Sequence, residues 1–204
     1  MSPRTITTEA VGSSEAPPEV ATVKARISGD SDTLSGARGL VTDRAETLRE
    51  SITTVASDRV RTVDLQVQHR DELFDPPGDA EYYAKAHIHI DCLPEQAGTV
   101  SEEVTAAGGQ IRSIDFQLHD ETHQRLQEAA LEQAMARARE KAAVMAAAEE
   151  ETIAGVQEAR SADSSTDMNS VLDEAISSDF DTELHPAPIS ISERVTVVYE
   201  LTAA

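Results

Sequence analysis

His87, His89 and Asp91 alternate along one stretch of the chain, and in an extended segment residues two apart project from the same face. Two parallel imidazoles and a carboxylate form a donor set suited to zinc or copper, so these three are the candidates for holding a metal ion or small ligand. Lys85 continues the same series and repels a cation; the simpler reading is the wet side of a half-buried strand. His119-Asp120-Glu121-Thr122-His123 sets two histidines four apart around a glutamate, a spacing that zinc proteases use on a helix. Here His119 falls at a predicted strand end and Asp120 at a predicted helix cap, so the rings gain no common helical face, and no downstream ligand follows. No metal is assigned to either group.

Other chemistry finds less support. Cys92, the single cysteine, falls on the apolar side of its predicted strand, where it reads as a small apolar filler, and alone it makes no disulfide. The chain has no Gly-x-Ser-x-Gly elbow, no Gly-x-Gly-x-x-Gly loop and no Walker loop. Paired acids such as Glu102-Glu103 and Glu149-Glu150-Glu151 read as solvated surface in so acidic a chain. We therefore expect a non-enzymatic protein with no catalytic residues and no cofactor.

The charge balance narrows the partners. The 204 residues include 38 Asp and Glu against 17 Lys and Arg, a formal net charge of -21. Such a surface repels itself in dilute buffer, whereas molar salt shrinks the screening length to roughly 3 Å. Thirty alanines and only three phenylalanines mark a core of small groups. Together these features predict a halophilic protein whose acidic surface gathers solvent cations. Phosphate binding runs on clustered Lys and Arg, which are scarce here, so neither nucleic acid nor an anionic membrane surface is expected as a partner. The first residues alternate Thr with apolar side chains in place of a signal peptide's hydrophobic block, and a cytoplasmic location is expected.

These side chains must be positioned by a modest set of elements. Alternation over 5–11 and 20–27, separated by Pro17-Pro18, predicts two strands; Gly29-Asp30-Ser31-Asp32 offers a turn and helix cap. Leu34, Ala37, Val41, Ala45, Leu48 and Ile52 recur at helical spacing and predict a first helix. Val63, Leu65 and Val67 predict a third strand with these three on one face. Over 82–92 every even position is apolar or aromatic, which makes a fourth strand with one side buried. Pro94 and Gly108-Gly109 bracket a short helix over 95–107, followed by a strand through Ile114, Phe116 and Leu118. Asp120 is the expected cap of a long helix whose Leu131, Met135, Ala138, Ala142 and Met145 repeat at intervals of three and four. Strands over 153–159 and 189–201 close the chain. Between them, 161–188 is acidic without Lys or Arg, and a mobile, solvated insertion is expected; an amphipathic turn near Val171, Leu172 and Ile176, where a partner could dock, is the less favoured reading.

This order of elements, β-β-α-β-β-α-β-α-β-β, and several local motifs resemble the SIMPL domain family. Gly12 followed by Pro18-Glu19-Val20-Ala21-Thr22-Val23 resembles the family's first two strands, and Tyr82-x-Ala84 its entry to the fourth. Ala138-Arg139-Glu140-Lys141-Ala142 resembles a motif of its long helix, and Val195-Thr196-Val197-Val198-Tyr199-Glu200-Leu201 its closing strand. Ala10, Glu81 and Glu150 stand where the family uses glycines. The resemblance implies no established enzymatic activity and no defined catalytic residues; members are described as oligomer-forming, stress-associated or interaction proteins. The expectation is one α+β domain over 1–204, with a mixed or antiparallel sheet and helices on one face. It would self-associate or bind a protein partner through the open sheet face or the long helix, whose Leu131 to Met145 stripe runs further than one sheet face readily covers.

Overall fold

The computed structural model describes residues 4–72, 79–163 and 186–203. The acidic stretch expected as a mobile insertion over 161–188 lies, for 164–185, outside the described residues, as do Val171, Leu172 and Ile176. Among the described residues, seven strands and three α-helices follow the expected order. The expected α+β class holds, but the strands form two antiparallel sheets where one was expected. Alternation along a strand reports which face is buried and not which strand it pairs with. The contacts gather these elements into two compact units.

One unit holds the sheet β3-β4-β2-β5 with two helices. β2 (Val20–Ser31), β3 (Val60–His69), β4 (Tyr82–Cys92) and β5 (Gln110–Gln117) send Ala21, Val23, Ala25, Ile27, Ala84, Ala86, Ile88, Ile90 and Cys92 to one buried face. There they meet Ala37, Val41 and Leu48 of α1 (Leu34–Ser51) and Ala97, Val100 and Val104 of α2 (Ala97–Ala106). Helix α1 is capped by Thr33, whose hydroxyl accepts from Gly36 N at 3.1 Å, one residue beyond the turn anticipated over 29–32. Gly108 ends α2 with φ of 82°, a conformation that glycine adopts without a Cβ penalty. Strand β3 departs from expectation at Val63, which is 58% exposed: a register shift between Thr62 and Asp64 turns it outward, while Val60 is buried and Leu65 and Val67 pack on the core.

The other unit holds the sheet β1-β7-β6 and one long helix. β1 (Thr5–Ala16) and β6 (Glu151–Asp163) flank β7 (Ile189–Ala203), and α3 (Asp120–Ala148) packs mainly on β1 and β7 and less on β6. The cap of α3 is His119, with Asp120 in its first turn, where a carboxylate favours the positive helix end. The expected Leu131-to-Met145 stripe matches the buried face only in part: Ala138 and Ala142 are buried and Met135 packs on the core. Thr122, Leu126, Ala130, Ala134, Ala138, Ala142 and Ala146 are buried, one every four residues, whereas Leu131 is 37% and Met145 47% exposed. A ridge of alanines brings helix and strand backbones closer together than a leucine ridge allows.

Candidate functional site

The polar face of the four-stranded sheet gathers the sequence's metal candidates. His89 lies opposite Lys24 of β2 and Arg61 of β3, and His87 lies opposite Arg26 and Asp64. Both oxygens of Asp91 are taken: Thr22 Oγ1 donates to one at 2.9 Å and Arg61 Nη2 to the other at 2.5 Å. Lys24 forms an ion pair with Asp115. Burial pushes the His89 imidazole below its ordinary value, and Lys24 and Arg61 push it further; Asp91 and Asp115 oppose them without prevailing. An imidazole held neutral between two cations, beside a carboxylate already neutralised by arginine, has little pull on a metal ion. Among the described residues no three His, Cys, Asp or Glu side chains are placed to hold a metal. His119 at the α3 cap and His123 in its first turn, where His123 N donates to His119 O at 2.9 Å, are included in that statement.

Cys92 is buried on the core face of β4, as its alternation requires, and burial raises its thiol pKa to about 11, with Asp91 and Glu95 adding to the effect. A thiol at that value is not a nucleophile at neutral pH. Of the paired acids, Glu103 has a structural task. Its carboxylate accepts from Thr53 Oγ1 at 2.7 Å and from the N–H groups of Thr53 and Thr54 at 3.3 Å, closing the chain beyond α1. Glu150 adopts φ of 57° in the turn between α3 and β6, where the resembled family uses glycine.

The surface that periodicity pointed to obliquely is the far end of α3. Residues 142–148 read Ala-Ala-Val-Met-Ala-Ala-Ala, and of these only Ala142 and Ala146 are buried. Val144, 72% exposed, and Met145 line one wall of a shallow open groove with Glu140 and Lys141; Thr7, Thr8 and Glu9 of β1 form the other. Thr8 Oγ1 donates to Ala138 O at 3.0 Å and Lys141 Nζ to Glu9 O at 2.8 Å, which pin the strand to the helix beneath the groove. The walls thus offer an apolar strip bordered by two acidic residues, Glu9 and Glu140, and one basic residue, Lys141. No described helix is long and apolar enough to cross a membrane, so this strip is not part of a spanning helix.

No curated protein matches the chain. The family model SIMPL, described as a protein of unknown function (DUF541), matches residues 6–199, nearly the whole chain and both sheets. On that match, together with the motifs in β1, β4, α3 and β7, the chain belongs to the SIMPL family.

Proposed function

We propose that this SIMPL protein is a non-enzymatic protein that self-associates through the last two turns of α3. The observation that carries the reading is the run 142–148: a helix end apolar on every side, of which one side is buried and Ala143, Val144, Met145, Ala147 and Ala148 stay exposed. A helix apolar all round is stable in water where something covers it. A second copy fits this surface, because it carries the same apolar strip: two such helices crossing antiparallel about a two-fold axis at Val144 and Met145 cover each other's exposed side chains. The net charge is compatible with the same reading in molar salt, which screens the repulsion between two chains that each carry -21.

Light scattering in molar KCl over a range of protein concentrations tests the proposal. Wild type is expected to associate, and Val144→Glu with Met145→Glu to lose that association while keeping its circular dichroism, because both side chains point to solvent. A strict monomer at every concentration, or association indifferent to the two glutamates, overturns it.

A further inference from the structure

The three-stranded sheet has two edges, and they are treated differently. On the outer edge of β1 three backbone groups over residues 9–13 are occupied by α3: Gln133 Oε1 accepts from Ser13 N at 2.8 Å, Arg137 Nη1 donates to Val11 O at 2.7 Å, and Lys141 Nζ donates to Glu9 O at 2.8 Å. Residues 133, 137 and 141 stand one turn apart beside the alanine ridge, so one helix both buries the sheet and seals its edge. An edge closed in this way is a poor template for another strand.

Among the described residues the outer edge of β6 has no such cover: neither a strand nor a side chain bonds its outward backbone groups, although it runs for 13 residues. It contains no Lys and no Pro, two residues that commonly blunt an edge. Because α3 lies mainly over β1 and β7, most side chains of β6 are exposed, Val156 at 52%. Two register shifts, between Ile153 and Gly155 and between Val156 and Glu158, interrupt the first half; from Glu158 onward the pairing with β7 is regular.

We infer that the outer edge of β6 pairs antiparallel with β6 of a second copy, in the register that sets Ala159 on the two-fold axis. The charges select that register. Glu158 and Arg160 lie on one face, joined at 2.5 Å within the chain. A two-fold axis through residue 158 opposes two glutamates, and one through residue 160 opposes two arginines. Only an axis through Ala159 sets each Glu158 against the partner's Arg160, in a network of four charges with the smallest side chain at its centre. The product is a continuous sheet in the order β1-β7-β6-β6-β7-β1. Both of its outer edges are the sealed β1, so pairing stops at two copies. This surface is separate from the end of α3, and the two are tested independently.

Hydrogen–deuterium exchange in molar KCl reads the backbone bonds directly. Amides in the β6 stretch 158–161 are expected to gain at least tenfold protection as concentration rises through association, while amides of β1 do not change. Glu158→Arg alone sets four arginines together and should raise the dissociation constant roughly tenfold. Adding Arg160→Glu restores opposite pairs and should restore affinity; both sites are exposed, so neither change threatens the fold. The series is run in wild type and in the Val144→Glu, Met145→Glu background, where any remaining association must use another surface. β6 protection that does not vary with concentration, or a double exchange that fails to rescue, overturns the inference. Association left unchanged by the Val144 and Met145 glutamates, with β6 protection intact, overturns only the reading of the helix end.

Discussion

Gly12 lies so close to Ala130 that a Cβ built on the glycine would stand 2.1 Å from the Ala130 carbonyl oxygen and 2.5 Å from the Ala134 nitrogen. Both obstacles are backbone, which cannot rotate aside. The strand therefore touches the helix main chain at the level where the alanine ridge passes over it. Gly12→Ala should push α3 off the sheet and lower stability by about 3 kcal/mol, as overpacking a tight contact does. Gly39, inside α1, has nothing within 4 Å of its would-be Cβ, and Gly39→Ala should raise stability by up to about 1 kcal/mol on helix propensity. Denaturant titrations of the two variants in molar KCl check the contrast; equal effects would mean that helix and strand are not in contact at Gly12.

The Glu103 carboxylate ties α2 to the chain beyond α1. Partial burial works to raise its pKa, but the donors of Thr53 and Thr54 outweigh burial and hold it below the ordinary glutamate range. A carboxyl held low contributes stability that is present above its ordinary pKa, about 4.3, and is lost as pH falls through the folded value. Glu103→Gln should cost about 1 kcal/mol at pH 7 and progressively less below pH 4. Stability curves of the two proteins that stay parallel down to pH 3 would remove the carboxylate from this role.

His89 has linkage of the same sign, at higher pH and for a different reason. Burial, Lys24 and Arg61 hold its imidazole below the ordinary value while Asp91 and Asp115 pull the other way, so as pH falls the unfolded chain takes up the proton first. Stability should decline from about pH 6.5 downward, and His89→Gln should flatten that slope. A slope unchanged by the substitution would assign the decline to other groups.

Much of this architecture is legible in the residues, and the failures have physical causes. The even-numbered series of β4 is read correctly because a sheet buried on one side enforces strict alternation from Tyr82 to Cys92. The long helix is found, but its buried face is misread toward Leu131 and Met145. Weighting by hydrophobic size favours those side chains, whereas the contact with Gly12 selects the smallest ones, and alanines every four residues are inconspicuous in a chain with thirty of them. Val63 is misplaced because a bulge breaks the alternation after Thr62. For the candidate site, the common face of His87, His89 and Asp91 is legible, but Lys24 and Arg61, which neutralise it, come from neighbouring strands through a pairing that periodicity does not encode. The polar row Gln133, Arg137 and Lys141 is a missed signal: long polar side chains every four residues, each one position before a buried alanine, mark a helix that seals an edge.

Cys92 offers a probe of the four-stranded sheet. With its thiol buried and its pKa pushed up to about 11, it should resist iodoacetamide at pH 8 in the folded protein and react once denaturant opens the sheet. Mass spectrometry of the alkylated chain checks this, and rapid labelling without denaturant would show that β4 is open at that point.

The charge of -21 makes the broadest prediction. If the acidic surface is adapted to salt, raising KCl from 0.15 M to 2 M should shorten the screening length from roughly 8 Å to below 3 Å and relieve repulsion that the compact state bears more than the unfolded chain. The thermal midpoint should then climb by at least about 3 °C, corresponding to roughly 1 kcal/mol for a chain of this size. The described ion pairs act in the contrary direction, since Arg4–Glu151, Arg61–Asp91 and Arg194–Glu9 each have an exposed arginine and weaken in salt. Exposed pairs of this kind, Lys24–Asp115, Arg70–Asp79 and Arg160–Glu158 included, contribute little beside an excess of 21 like charges, so the net effect should be a gain. Calorimetry across the KCl series decides the balance, and a midpoint that stays level or drops would mean that the acidic surface is not an adaptation to salt.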